Sequence, residues 1–305
     1  MNGNLASVEG SLGSGPAASA RGSAHPALRR FLQQPATKPA LLVLLLIVGA
    51  AVLAPWLAPY PADADIASHI DRRLLPPGNG FLLGTDHLGR DVFSRLLFGT
   101  RVSLLIGAEA MLASAVIGTV CGLAAGYRRG WLDQLLMRAA DVFLGIPSLV
   151  LAILVSLSIG GGVESTVIAI AATSWPRYAR LVRGEVLRTR VLEYVQAAAA
   201  YGASTGLIIR RHIFPSVVPV LIAQAALQVG TAILVAAGLG FIGLGARPPS
   251  PELGLAIAIG REYMPESWWI SLSPGAVIVV LVVALNLLGD GLRAAFDPRA
   301  ARQIG

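Results

Sequence analysis

EYVQAAAAYGASTGLIIRRHIFPSVVP, residues Glu193 to Pro219, lies between two long apolar segments and is itself too polar to cross a bilayer. Tyr194 to Tyr201 is alanine-rich and has high helix propensity. Gly202 can take the left-handed conformation that ends such a helix. Ser204 suits the N-cap of a second helix running through Leu207, Ile208 and Ile213, which Pro215 then stops or kinks. The pattern predicts helix, turn and helix, flanked by Arg188, Arg190, Arg210 and Arg211. In a cytoplasmic loop, such a hairpin offers a surface to a soluble partner. The plainer reading, a hairpin that packs only on its own chain, is open at this point.

The composition agrees with a membrane setting. Of 305 residues, 55% are hydrophobic and 13% charged, against about 25% charged in soluble domains. The net charge of +7 comes almost entirely from arginines beside apolar segments, which suits membrane orientation and not nucleic-acid binding. Cys121 is the only cysteine, so no intramolecular disulfide can form. Lys38, the only lysine, sits in T-K-P. A phosphate-binding loop needs G-K-[ST], so the chain cannot itself be a P-loop ATPase.

Six apolar runs follow one another: Ala40–Leu57, then about 102–126, 139–160, 163–183, 217–243 and 271–291. The first fits a long signal peptide, with basic residues before it and small ones after. It also fits a retained span, since about 18 residues reach across a bilayer. We expect the span. Between it and the second run lies LLGTDHLGRDVFSRLLFGTRVSL (Leu82–Leu104), where Val92, Leu96 and Leu97 oppose Asp91 and Arg95, as in an interfacial amphipathic helix. His87 with Asp86 and Asp91 is too sparse a set for a metal site and fits turn and cap roles. With both termini inside, 17 of the 24 Lys and Arg fall on the cytoplasmic side and 7 outside. The Gly202 loop is therefore expected in the cytoplasm.

Four motifs resemble one family. Gln196, Ala197, Ala198, Gly202, His212, Phe214 and Pro215 keep the spacing of the EAA loop of binding-protein-dependent ABC importer permeases, with Gln196, His212 and Phe214 as departures. The form E-Y-V-x-A-A…G-A-S…R-H-I-x-P resembles the dipeptide/oligopeptide (and nickel) branch, C-type subunit. So do the Leu82–Leu104 segment, FIGLGARPPSPELG (Phe241–Gly254) and the ending from Trp268 to Arg299.

The resemblance implies an all-α polytopic membrane protein with six transmembrane helices, the type I ABC importer permease fold. Its parts would be a disordered cytoplasmic tail (1–37) and a first helix with an extracytoplasmic segment (38–100). A five-helix core (101–295) would carry the coupling loop (185–216), followed by a cytoplasmic C-terminal tail (296–305). Glu193, Tyr194, Gln196, Ala197, Ala198, Gly202, Arg211, His212, Phe214 and Pro215 would couple to the ATPase, where small side chains let a partner approach the backbone. The chain would be non-enzymatic and multi-pass in a bacterial cytoplasmic membrane. It would work with a homologous second permease, two ATP-binding domains holding ATP and Mg, an extracytoplasmic substrate-binding protein and membrane lipid. It would bind no nucleic acid and no cofactor or metal of its own.

Di- and oligopeptides are the expected substrates; nickel chelates and haem are the alternatives within the family. An ion-coupled secondary transporter would carry paired intramembrane carboxylates, and Glu109, with at most Asp141 besides, lies more than one residue in from the ends of the apolar runs. Glu109 is thus the translocation-path candidate, or else part of a buried helix–helix hydrogen bond. An intramembrane enzyme finds no H-E-x-x-H or G-x-S-x-G to rest on.

Overall fold

The computed structural model describes residues 31–32, 34–78 and 80–296. The expected tails, with Arg21, Arg29, Arg30, Arg299 and Arg302, lie outside the described residues except at their inner ends. Among the described residues the fold is helical, without a named strand.

Helix α1 (Thr37–Val52) is followed after Leu53 by the single turn α2 (Ala54–Leu57). Pro55 has no N–H to give the Ala51 carbonyl, so the first apolar run is shorter as a helix than as a sequence. Residues 58–91 then lead to α3 (Val92–Arg128), 37 residues and about 55 Å long. The amphipathic stretch at Val92–Leu97 is not a separate interfacial helix. It forms the first turns of α3, because nothing between Asp91 and Arg101 interrupts the backbone ladder.

The third expected run, 139–160, is corrected more strongly. Helix α4 (Gly130–Gly145) begins nine residues earlier and meets α5 (Ser148–Ile159) at a bend of 98°. Pro147 forces the preceding Ile146 into extended backbone (φ −96°, ψ 133°), which ends α4 there. Helix α6 (Val163–Thr189) passes through Pro176 and continues six residues beyond the expected end.

After the hairpin come α9 (Phe214–Phe241), α10 (Leu253–Gly260) and α11 (Trp269–Phe296). Three helices are long and apolar enough to cross a membrane: α3, the continuous Thr205–Phe241 and α11. The bent pair α4–α5 makes a fourth if it counts as one crossing. The 16-residue α1 and the more polar α6 would have to be counted as well to reach six.

The bundle is centred on α3 against α6, with α9 packed on α3, α6 and α11. Gly118, Gly122 and Gly126 recur every fourth residue on α3 and let α6 come close. A Cβ at Gly122 would stand 2.6 Å from the Ala179 carbonyl oxygen, and one at Gly118 would collide with Tyr178. Membrane helices pack through such small-residue stripes.

Candidate functional site: an anchored hairpin

Two short helices form the hairpin: α7 (Glu193–Ala200) and α8 (Thr205–Ile208). Leu192 is extended, and Glu193 sits in the first turn of α7, where its charge meets the positive end of the helix. The alanine run carries the helix to Tyr201. Gly202 then takes φ +82°, and its N–H bonds the Ala199 carbonyl at 3.0 Å while Ala203 N–H bonds that of Ala198 at 3.1 Å. These two bonds make a Schellman ending, which favours glycine at the left-handed position. Ser204 caps α8, its Oγ accepting from Leu207 N–H at 3.4 Å.

Pro215 neither stops nor sharply ends the second helix. Ile209–Ile213 widens into a π-turn, in which Phe214 N–H bonds the Ile209 carbonyl, and α9 continues from there. Pro215 lacks a donor and its ring would crowd the carbonyl four residues back. A wider turn relieves that crowding without breaking the helix.

One side of the hairpin is bolted down. Val195, Ile208 and Ile213 are buried with Val182 and Val186 of α6 and Val217 of α9. Burying such side chains is worth about 1.5–3 kcal/mol each. At the base, Arg190 donates to the carbonyls of Gly126 and Tyr127, both at 3.2 Å, tying the hairpin to the C-terminal end of α3. Arg183 grips Asp133 of α4 through two bonds of 2.6 and 2.8 Å, and Arg180 pairs with Asp141.

The other side is bare. Glu193, Tyr194, Gln196, Ala197, Phe214 and Pro215 are exposed, Ala198 and His212 are half-buried, and Tyr201 is 93% exposed. Tyr194 and His212 lie with ring centroids 5.8 Å apart, so the two ends of the expected motif meet. Arg210 and Arg211 are exposed and pair with no carboxylate among the described residues. All ten expected hairpin residues are exposed or half-buried, while Val195, Ile208 and Ile213 form the buried side.

Glu109 belongs elsewhere. It is exposed in mid-α3, on the same face as Leu105, Leu112, Val116 and Val120, and makes no hydrogen bond within the described chain. Among the described residues no intrachain partner holds it. At the N-terminal end of α3, Asp91 caps the helix by accepting from Ser94 N–H at 2.8 Å, and Asp86 receives Leu88 and Arg90 N–H at 2.8 and 3.0 Å. His87 stacks on Tyr263. Burial holds the His87 imidazole below its ordinary range, against the pull of Asp86.

Sequence reasoning missed Glu252. It is 1% exposed and caps α10, its oxygens accepting from Gly254 N–H at 2.9 Å, Leu255 N–H at 2.8 Å and Ser103 Oγ at 3.1 Å. Only its position just before an apolar octet signals a cap in the sequence.

Residues 118–302 match the family described as binding-protein-dependent transport system inner membrane component, and residues 25–77 match the N-terminal TM domain of oligopeptide transport permease C. The glutathione transport system permease protein of Pectobacterium atrosepticum is 42% identical over 271 residues, 89% of each chain. The di/tripeptide transport system permease protein of Pseudomonas aeruginosa is 43% identical over 265 residues, 85% of this chain and 86% of that one. A probable D,D-dipeptide transport system permease protein of Escherichia coli is 42% identical, covering 87% of this chain and 88% of its own. Among solved structures, the inward-facing MetNI methionine ABC transporter shares the fold with a TM-score of 0.55 at 21% identity, over 67% of this chain and 98% of that one. The chain belongs to the family of binding-protein-dependent transport system inner membrane components.

Proposed function

We propose that this chain is one of two permease subunits of an ATP-driven importer of di- and oligopeptides in a bacterial cytoplasmic membrane. In this reading α1, α3, the α4–α5 pair, α6, α9 and α11 make six crossings with both termini inside. A homologous permease completes the path, and two ATP-binding domains supply the hydrolysis, with ATP and Mg bound there and not here. An extracytoplasmic binding protein delivers the substrate. The peptide class is supported by the relatives above, whose names give peptides or glutathione as cargo.

The observation that carries the coupling role is the two-sided hairpin. Val195, Ile208 and Ile213 bind it to the ends of α6 and α9, while Tyr194, Gln196, Ala197 and Tyr201 stay open to a partner. A soluble domain seated there can move those helix ends as a unit. Alternating access follows: closure of the ATP-binding domains draws the hairpins together and opens the path outward. The test is purification of the chain, expressed with its neighbouring subunits, in mild detergent. Co-elution of an ATPase, and ATP-dependent peptide uptake after reconstitution, are expected. Uptake driven by an ion gradient with no ATPase bound would overturn the reading.

A further inference from the structure

A cavity of about 410 Å³ opens on the extracytoplasmic side, between the end of α9, the wall of α10 and the turn Arg261–Tyr263. Its size is that of small-molecule sites. Leu255 and Ile259 give it an apolar wall, and the stacked rings of His87 and Tyr263 (centroids 5.6 Å apart) close one side. Two charges of opposite sign stand next to each other on its lining, Arg261 and Glu262. Neither has a salt-bridge partner among the described residues, although both are exposed and adjacent in sequence. The Arg261 guanidinium lies 5.0 Å from the centroid of the Phe241 ring, which holds its plane while leaving its N–H groups free.

The walls are fixed before any ligand arrives. Buried Glu252 pins the start of α10 to Ser103 of α3. A Cβ at Gly240 would stand 2.6 Å from a Glu252 carboxylate oxygen, so α9 and α10 are in direct contact at the cavity floor. Arg95 donates to the carbonyls of Pro249 and Ser250 at 3.4 Å each, holding the loop before α10.

We propose that this cavity is a subsite for the two charged ends of a short zwitterionic peptide, Arg261 taking the carboxylate and Glu262 the ammonium. This rests on the peptide reading above and gives it a location. The guanidinium fork matches a carboxylate in a bidentate way. The apolar wall accepts side chains without choosing among them, so recognition falls on the backbone termini that all short peptides share. A preformed wall also keeps the ordering cost of binding low.

The test uses the assembled transporter in nanodiscs and a photo-leucine dipeptide, with its N-acetylated and C-amidated forms. The free dipeptide should label residues 255–263. R261Q and E262Q should each raise its half-saturating concentration roughly tenfold, the scale of one lost charge-assisted hydrogen bond. R261Q should make no further difference to the amidated form, nor E262Q to the acetylated one. Both side chains are exposed, so basal ATPase activity should be unchanged. Labelling elsewhere, or labelling indifferent to both substitutions, overturns the subsite. Peptide uptake without labelling of this cavity overturns the subsite alone, whereas absence of any ATP-driven peptide uptake removes the peptide reading as well.

Discussion

The hydroxyls of Thr189 and Ser216 lie 2.9 Å apart, joining the last residue of α6 to the first turn of α9. Thr189 is fully buried, and Ser216 Oγ also reaches the Ile213 carbonyl at 2.7 Å. The hairpin therefore leaves and re-enters the bundle through one closed base. Thr189→Val keeps the shape and removes this bond together with the longer one to Glu185 Oε1 at 3.3 Å, at a cost of about 1 kcal/mol. We expect normal membrane insertion with ATPase activity less tightly linked to uptake. The ratio of ATP hydrolysed to peptide imported in proteoliposomes reads this directly, and an unchanged ratio would make the bond only structural.

Gly202 is the next point of control. Its φ of +82° is costly for a β-branched residue, of order 1–3 kcal/mol, and the cost falls on the turn alone because open space surrounds the missing Cβ. Gly202→Val should misdirect α8 while α7 still forms. Uptake should fall to background at normal expression. Full uptake would show that the angle between the two helices does not matter.

Arg211 tests the bare face. Charge reversal to Glu should weaken capture of the ATP-binding partner, and more so at low salt, because exposed charges are screened as ionic strength rises. Pull-down at two salt concentrations decides it. Equal capture throughout would leave Arg211 as a membrane-orienting charge.

Local features were the legible ones. The Ser204 cap, the Gly202 ending and the dipole position of Glu193 depend on residues within one turn, so they could be read before any fold was known. What escaped depends on partners far away in sequence. Asp63 Oδ2 accepts from Asp91 N–H at 2.8 Å across 28 positions, and Arg95 reaches the Ser250 carbonyl across 155. No periodicity announces such bonds. The bend at Pro147 is a different case, since the proline was visible inside an apolar run long enough to read as one span. The glycine stripe Gly118, Gly122, Gly126 likewise has a recognisable four-residue spacing, but which helix it receives is known only from the packing of α6.

His87 carries a pH dependence. Its folded-state value lies below the ordinary 6.5, so the unfolded segment binds more protons in the window just under 6.5. The stability this imidazole contributes is complete above that pH and is lost as pH falls toward the lowered value. Amides of the 82–91 segment should exchange faster at pH 5.5 than at pH 7.5 after correction for intrinsic rates. His87→Phe keeps the ring against Tyr263 and should flatten the difference. An equal pH response in the variant would assign the effect to another group.

Glu109 sets the last prediction. A carboxylate in mid-helix is expensive against lipid, and charged side chains at such depth face a partner or a water-filled path. Here it stands on a face of α3 that the chain's own helices leave uncovered, among Leu105, Leu112 and Val116. In the proposed permease pair, that face is covered by the second permease or lines the path between the two subunits. Glu109→Gln keeps the size and the hydrogen-bonding capacity and removes the charge. If the carboxylate meets the ammonium of a passing peptide, uptake of peptides with free amino termini should drop several-fold while assembly and basal ATPase activity hold. If it instead bonds to the neighbouring subunit, uptake should persist and the detergent stability of the permease pair should change. Glu109→Leu separates the two further: a lipid-facing position would gain stability from the leucine, whereas a path or interface position would lose transport or assembly.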